Sequence, residues 1–201
     1  MSSYEFHFDF GSPNAYLSHR VIPAIEARTG VKIDYVPVLI GGLFKATNNV
    51  SPAVSMNGIK NKPEYAQLET ERFLKKHNIN DYNFNPHFPV NTLTIMRAAI
   101  AAQNEGVFEK YVEVVYHNMW SEPKKMDDPE VILSVLNDNG LDGEGLLAKT
   151  QDPEVKAKLM ANTESSVNRG NFGSPSFFVD DEMFFGKNTL PDFEEMILAT
   201  R

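Results

Sequence analysis

The strand-forming patterns of this 201-residue chain lie near its two ends. Residues 4–10 alternate strictly between aromatic and polar side chains, which is typical of a β-strand. Residues 31–38 predict a second strand, and residues 176–185 predict a β-hairpin. From about residue 62 to residue 170, every strong pattern is helical. The chain is therefore expected to build one small sheet from both ends, with helices between them.

A helix is predicted over residues 13–29, directly after the first strand. Ser12 is a favourable N-cap, Pro13 suits the first helical turn, and Gly30 favours the helix end. Strand, helix and strand then form a βαβ unit with a right-handed crossover.

The complete order is βαβ, a helical block and ββα, with a final helix over residues 192–199. This is the order of an α/β thioredoxin-like fold with an inserted all-helical domain. We expect a discontinuous thioredoxin-like domain from residues 1–60 and 171–201, and the helical insertion from residues 61–170. Residues 41–61 are rich in Gly, Asn, Ser and Pro, and they predict a long loop.

Charge and composition exclude several classes of function. The net charge of −8 argues against binding to nucleic acid or to an anionic membrane surface. The absence of cysteine excludes disulfides, thiolate metal sites and cysteine catalysis, and we expect no metal site. The N-terminal residues do not resemble a signal peptide, and no apolar run approaches the roughly 18 residues of a membrane span. We therefore expect a cytoplasmic protein.

Ser12 is the first candidate for chemistry. A hydroxyl at a helix N-terminus, at the edge of a sheet, is placed to stabilise a thiolate, a carboxylate or a phosphate. The alternative is that Ser12 only caps the helix.

The segment 172–178 contains the second candidate. Pro175 directly precedes a predicted strand, and in a thioredoxin-like fold this favours a cis Ser174–Pro175 bond. The backbone N–H and C=O of Ser174 would then face outward and pair with an extended peptide ligand. The alternative is a trans proline at the entry of an edge strand.

The chain resembles the 2-hydroxychromene-2-carboxylate isomerase family and, more distantly, the kappa-class glutathione transferases. Ser12-Pro-Asn-Ala15 occupies the place of the Cys-x-x-Cys motif of DsbA-like oxidoreductases, without either cysteine. The matching segments are spread over the full length and comprise residues 8–16, 36–49, 85–92, 172–175 and 184–186.

This resemblance implies glutathione as the cofactor. Ser12 is similar to the family's active-site serine, whose hydroxyl points at the glutathione sulfur. Asn49 and Lys62 are similar to polar contacts to the tripeptide, and Ser174 with Pro175 provides the backbone contact. Without the resemblance, Asn49 is a turn residue and Lys62 a solvated lysine.

Residues 185–189 are similar to the loop that meets the γ-glutamyl group, which makes Lys187 and Asn188 candidate cofactor contacts. Asn188 stands where the family often has an acidic residue. The charge pairing with the γ-glutamyl amine is therefore expected to be lost. The sequence leaves open whether the cofactor is glutathione or another thiol.

Residues 84–91 are expected to lie over the thiol. Asn85 and His87 are candidate contacts to a second substrate, and His87 has a suitable side chain for donating a proton near neutral pH. The alternative for His87 is a histidine packed between aromatic residues.

The resemblance predicts a glutathione-dependent cis–trans isomerase of an aromatic, conjugated keto acid. Thiolate addition would turn a double bond into a rotatable single bond, and elimination would regenerate the cofactor. The alternatives are a kappa-like glutathione transferase and a glutathione-binding module without catalysis. The expected partners are a small-molecule substrate and a second copy of the chain in a homodimer. A disulfide oxidoreductase is disfavoured because the chain has no cysteine.

Overall fold

The computed structural model describes residues 2–201, and a four-stranded mixed sheet lies at its centre. The strands are β1 (Tyr4–Phe8), β2 (Asp34–Pro37), β3 (Ser176–Val179) and β4 (Glu182–Phe185). They lie in the order β2-β1-β3-β4. β1 pairs in parallel with β2 and antiparallel with β3, and β3 and β4 form the predicted hairpin.

Ten α-helices surround this sheet within residues 2–201. They are α1 (Pro13–Thr29), α2 (Ile40–Thr47), α3 (Pro52–Ser55), α4 (Lys62–His77), α5 (Leu93–Asn104), α6 (Phe108–Trp120), α7 (Pro129–Asp138), α8 (Gly143–Lys149), α9 (Pro153–Asn168) and α10 (Leu190–Thr200). A 3₁₀ helix, Lys187–Thr189, precedes α10. The architecture is the predicted thioredoxin-like α/β fold with a helical insertion.

The caps that the sequence predicts for α1 are present. The Ala15 N–H donates to Ser12 Oγ at 3.2 Å, which satisfies one of the free N–H groups of the first turn. Gly30 ends the helix with φ of 73°, and its N–H donates to the Glu26 carbonyl. The start of α1, and with it Ser12, is therefore set by local sequence.

β1 is buried on both faces, because it is a central strand of the sheet. Phe6 and Phe8 lie on one face, and the Phe6 ring stacks on Phe177 at 5.2 Å. His7 lies on the other face, where its ring nitrogens bond to Ser166 and Glu5 at 2.7 Å each. His7 can be buried because both of its ring nitrogens have a hydrogen-bond partner.

The prediction of a long loop over residues 41–61 is wrong, because α2 and α3 lie there. Gly42 permits α2 to approach α9 closely, because a Cβ at this position would lie 3.0 Å from Thr163 Cγ2. The Leu39 N–H also donates to Thr163 Oγ1 at 3.0 Å. Tertiary packing against α9 thus outweighs the low helix propensity of glycine in α2.

None of the helices in residues 2–201 is both long and apolar enough to cross a membrane. In the range 61–170 that was expected to be helical, all described regular elements are helices.

Candidate functional site

Ser12 joins the start of α1 to the segment before β3. Its Oγ donates to the Ser174 carbonyl at 2.8 Å and accepts the Ala15 N–H. These two residues, which the sequence singled out and which lie 162 positions apart in the chain, are thus in direct contact. The Ser12 side chain is almost fully buried, and its single proton is used in the bond to Ser174.

The first turn of α1 keeps one backbone donor available. Pro13 has no N–H, and the Ala15 N–H is taken by Ser12. The Asn14 N–H has no hydrogen-bond acceptor among residues 2–201. Together with the positive end of the helix dipole, it favours an anion beside Ser12.

The Ser174–Pro175 peptide bond is cis, as the sequence predicts. Ser174 Oγ accepts the Asp9 N–H at 3.1 Å, which ties this segment to the end of β1. The Ser174 N–H has no partner within the described residues. Of the two backbone groups expected to pair with a peptide, the N–H is free and the C=O is bonded to Ser12.

Asn49 also reaches this segment. Its Nδ2 donates to the Phe172 carbonyl at 3.0 Å, and its Oδ1 accepts the Val50 N–H at 2.8 Å. The side chain is exposed and lies beside the chain that leads to Ser174. The structure therefore brings Ser12, Asn49 and Ser174 to one edge of the sheet.

Asp9 is a site-forming residue that sequence reasoning missed. Its carboxylate is 0% exposed and accepts hydrogen bonds from the Gly11 N–H at 2.8 Å, the Ile40 N–H at 2.8 Å and the Thr92 hydroxyl at 3.0 Å. Burial raises the pKa of this carboxyl, while the three hydrogen bonds oppose that shift. Asp9 holds together the turn before Ser12 and the starts of α2 and α5.

The loop between α4 and α5 is anchored next to the same turn. Trp120 Nε1 donates to the Phe10 carbonyl at 2.7 Å. The rings of Phe84 and Phe88 pack around Trp120 at centroid distances of 5.8 and 6.3 Å. Phe84 is nevertheless 57% exposed, so this loop presents an aromatic surface near the start of α1.

Of the two polar residues predicted to contact substrate in this loop, only His87 is exposed. Asn85 is fully buried, and its Nδ2 donates to the carbonyls of Met119 and Lys124 at 3.0 Å each. Its Oδ1 accepts the His87 N–H at 2.9 Å. The expectation that Asn85 faces a substrate is therefore corrected: its side chain holds the loop in shape.

Lys187 is committed to an ion pair that the sequence did not predict. It is only 4% exposed, and its Nζ lies 2.7 Å from both carboxylate oxygens of Glu69 in α4. Asn188 Nδ2 donates to Glu69 at 2.6 Å. Partial burial raises the pKa of Glu69, but the bonds from Lys187 and Asn188 outweigh it, so the pKa lies below its usual value.

Lys62 is exposed at the first position of α4. Within residues 2–201 no hydrogen bond or ion pair joins it to Ser12, Asn49 or Ser174. The same range contains no cluster of three or more His, Asp or Glu side chains arranged to hold a metal ion.

Comparisons with known proteins agree with this architecture over the full length. A 2-hydroxychromene-2-carboxylate isomerase from Sphingobium xenophagum is 28% identical over 194 residues, which are 96% of this chain and 97% of the relative. Glutathione S-transferase kappa 1 from Rattus norvegicus is 24% identical and covers 86% of this chain and 78% of its own length.

A solved structure of a 2-hydroxychromene-2-carboxylate isomerase superposes with a TM-score of 0.82 at 24% identity, covering 96% of this chain and 93% of its own. The model of the DSBA-like thioredoxin domain matches residues 5–198. The chain belongs to the DSBA-like thioredoxin family.

Proposed function

We propose that the protein is a glutathione-dependent cis–trans isomerase that acts on an aromatic, conjugated keto acid. The observation that carries this proposal is the contact between the Ser12 hydroxyl and the Ser174 carbonyl at the N-terminus of α1. The full-length similarity to proteins named as isomerases supports the reaction class.

The free donors at this edge of the sheet fit a thiol-bearing peptide. When bound, glutathione supplies the thiol that adds reversibly to the conjugated substrate, a group this cysteine-free chain lacks. The Ser174 N–H is available to pair with a peptide carbonyl. The Asn14 N–H and the dipole of α1 would favour the thiolate over the thiol.

The Ser12 hydroxyl must change its hydrogen bond to act on a sulfur. Its one proton is donated to the Ser174 carbonyl, so it has to leave that acceptor first. A peptide N–H that bonds the Ser174 carbonyl in its place would make the exchange nearly neutral, since each bond contributes about 1 kcal/mol net. Peptide binding and activation of the thiol are therefore coupled through Ser174.

Asn49 and Lys62 are proposed as polar contacts to the rest of the glutathione molecule, because both side chains are exposed. Asn49 lies against the Phe172 carbonyl and keeps an exposed amide, and Lys62 offers an exposed cation for a carboxylate. Lys187 is occupied by Glu69, so we do not propose it as a direct contact. Glu69 bonds both Lys187 and Asn188, so its negative charge is balanced by Lys187 and does not replace the acidic residue that the family often has at position 188.

The loop at residues 84–91 would form the substrate side. Its exposed ring, Phe84, lies next to Trp120 and suits the aromatic part of a substrate. His87 is exposed in the same loop and is proposed as a proton donor.

A kappa-like glutathione transferase is the second candidate, because a kappa transferase is 24% identical over 86% of this chain. The two reactions start in the same way and differ in the product. An isomerase releases the thiol unchanged, whereas a transferase releases a stable conjugate.

The test is turnover of 2-hydroxychromene-2-carboxylate by the purified protein, with and without glutathione, followed by absorbance and by mass spectrometry. We expect a product of unchanged mass that forms only with glutathione. A conjugate of higher mass would identify a transferase, and glutathione binding without either product would identify a binding module. Turnover in the absence of any thiol would refute the proposed chemistry.

We also propose that the protein works as a homodimer in the cytoplasm. The lack of cysteine fits a reducing compartment. Light scattering coupled to gel filtration tests the dimer, and a mass near 22.6 kDa would contradict it.

A further inference from the structure

A buried hydrogen-bond network lies beneath the segment that carries Ser174. It contains the side chains of Ser166, Asn171 and Ser176, which are all 0% exposed. Asn171 Nδ2 donates to Ser166 Oγ at 2.7 Å, and Ser176 Oγ donates to Asn171 Oδ1 at 2.7 Å. Burying polar side chains is costly unless they are hydrogen-bonded, and in this network they bond one another.

The network holds both backbone groups of Gly173. Asn171 Oδ1 accepts the Gly173 N–H at 2.9 Å. The Ser176 hydroxyl shares its proton between Asn171 and the Gly173 carbonyl, which lies 3.2 Å from Ser176 Oγ. On the exposed side, Asn49 donates to the Phe172 carbonyl. The peptide group between Phe172 and Gly173 is therefore held at its carbonyl by Asn49 and at its N–H by Asn171.

The Gly173 carbonyl determines where the Ser174 N–H points. The Gly173–Ser174 peptide bond is trans, and the C=O and N–H of a planar trans peptide point in opposite directions. Because Ser176 holds the carbonyl towards the buried network, the Ser174 N–H points away from that network. This geometry explains why the Ser174 N–H has no partner within residues 2–201, whereas the Gly173 N–H is bonded.

His7 anchors the other end of the network. The hydrogen bond from His7, followed by the contacts with Arg169, lowers the pKa of Glu5 to about 2, so its carboxylate accepts the His7 Nε2–H. Burial lowers the pKa of His7, which favours the neutral ring. His7 Nδ1 is then an acceptor, and Ser166 Oγ donates to it at 2.7 Å. Every bond from Asn171 to Glu5 thus has one direction, and this fixes the orientation of the Asn171 amide.

We infer that Asn171 and Ser176 are positioning residues that hold the Ser174 N–H outward as a donor for an extended peptide. The inference rests on the proposed function, since it takes glutathione as that peptide. A donor that is already oriented binds more tightly than a mobile one, because the segment does not have to be ordered when the ligand binds. Loss of this orientation should therefore weaken glutathione binding and leave the Ser12 hydroxyl in place.

The first test needs no ligand. Amide relaxation measured by NMR gives the order parameter of the Ser174 N–H in the wild-type protein, Asn171→Ala and Ser176→Ala. We expect about 0.85 in the wild type and a fall towards about 0.6 in both variants. Ser176→Ala removes only one hydroxyl, so it remains a test if Asn171→Ala fails to fold. Asn118→Ala is the matched control, because Asn118 is also buried but donates to Val114 of its own helix, and it should keep the wild-type order parameter.

The second test is calorimetric titration with glutathione at 25 °C, where urea-unfolding curves verify that each variant is folded. The Kd should rise by about tenfold in Asn171→Ala and Ser176→Ala, as expected when about one hydrogen bond is weakened. KM for glutathione should rise by the same factor, while kcat at saturating glutathione stays within about twofold of the wild type. A merely structural role would lower stability without raising the Kd of the folded protein, and Asn118→Ala should behave in this way.

Two results would overturn the inference. One is a Ser174 order parameter that stays at the wild-type value in both variants. The other is an unchanged Kd for glutathione in a variant whose Ser174 N–H has become mobile, since this amide would then not contact the ligand. A wild-type protein that binds no glutathione would instead refute the proposed cofactor, and the order parameters would still decide the positioning role. The two proposals therefore fail separately.

Discussion

Replacement of Ser12 by alanine separates the structural role of this side chain from its proposed chemical role. The substitution removes the N-cap bond to the Ala15 N–H and the bond to the Ser174 carbonyl. A lost N-cap costs about 1 kcal/mol, and a carbonyl left without its donor costs about another 1 kcal/mol. We therefore expect the free energy of unfolding to fall by about 2 kcal/mol and Tm to fall by about 4–8 °C for a chain of this length.

This loss of stability is too small to inactivate the protein by unfolding. A domain with a free energy of unfolding of at least about 5 kcal/mol stays about 99% folded after losing 2 kcal/mol. Loss of one preorganised donor to a developing anion lowers kcat by about 100-fold. A roughly 100-fold fall in kcat at 25 °C would therefore be caused by loss of the hydroxyl and not by unfolding.

The assay pairs urea unfolding with turnover at saturating glutathione. Asp128→Ala is the matched control, because Asp128 caps α7 through the Glu130 N–H and lies outside the site. It should lose about 1 kcal/mol of stability and keep its kcat. A Ser12→Ala protein whose kcat equals that of the wild type, or falls only with its folded fraction, would refute the role of the hydroxyl.

Two further predictions concern the scaffold. The hydrogen bond from His7, followed by the contacts with Arg169, lowers the pKa of Glu5 from 4.5 to about 2. The stability that Glu5 contributes, roughly 2 kcal/mol after allowance for partial exposure, is complete above pH 4.5 and is lost as the pH falls towards 2. Glu5→Gln should flatten this part of a pH series of urea-unfolding curves, and an unchanged slope would contradict the assignment. Trp120→Phe removes the donor to the Phe10 carbonyl and leaves a cavity, so urea unfolding should show a loss of about 2–4 kcal/mol; a loss below 1 kcal/mol would show that the bond matters little.

The elements that position Ser12 could be predicted because their signals are local. The caps of α1 are formed between close neighbours in the sequence: Ser12 bonds Ala15, three positions away, and Gly30 bonds Glu26, four positions away. The alternation of residues 4–10 marks β1 in the same way, although the strand ends at Phe8. Short-range hydrogen bonds and side-chain periodicity need no knowledge of the rest of the fold.

Residues whose roles depend on distant partners were missed or misread. In the sequence, Asp9 is an ordinary polar residue of an alternating strand. Its role becomes visible only in the structure, where Ile40 and Thr92 donate hydrogen bonds to its carboxylate. Asn85 is a polar loop residue in the sequence, yet its amide is consumed by the carbonyls of Met119 and Lys124. Nothing in the local sequence indicates such partners, because they lie about 30 or more residues away.

By itself, the sequence determined where β1 and α1 of this protein begin, that the two chain ends share a sheet, and that no cysteine takes part in its chemistry. Only the tertiary structure decided which polar groups remain available. Ser12 and Ser174 bond each other, Lys187 is spent on Glu69, and the N–H groups of Asn14 and Ser174 stay free. The physical reason is that secondary structure follows from neighbouring residues, whereas a free donor is defined by the absence of every other partner in space.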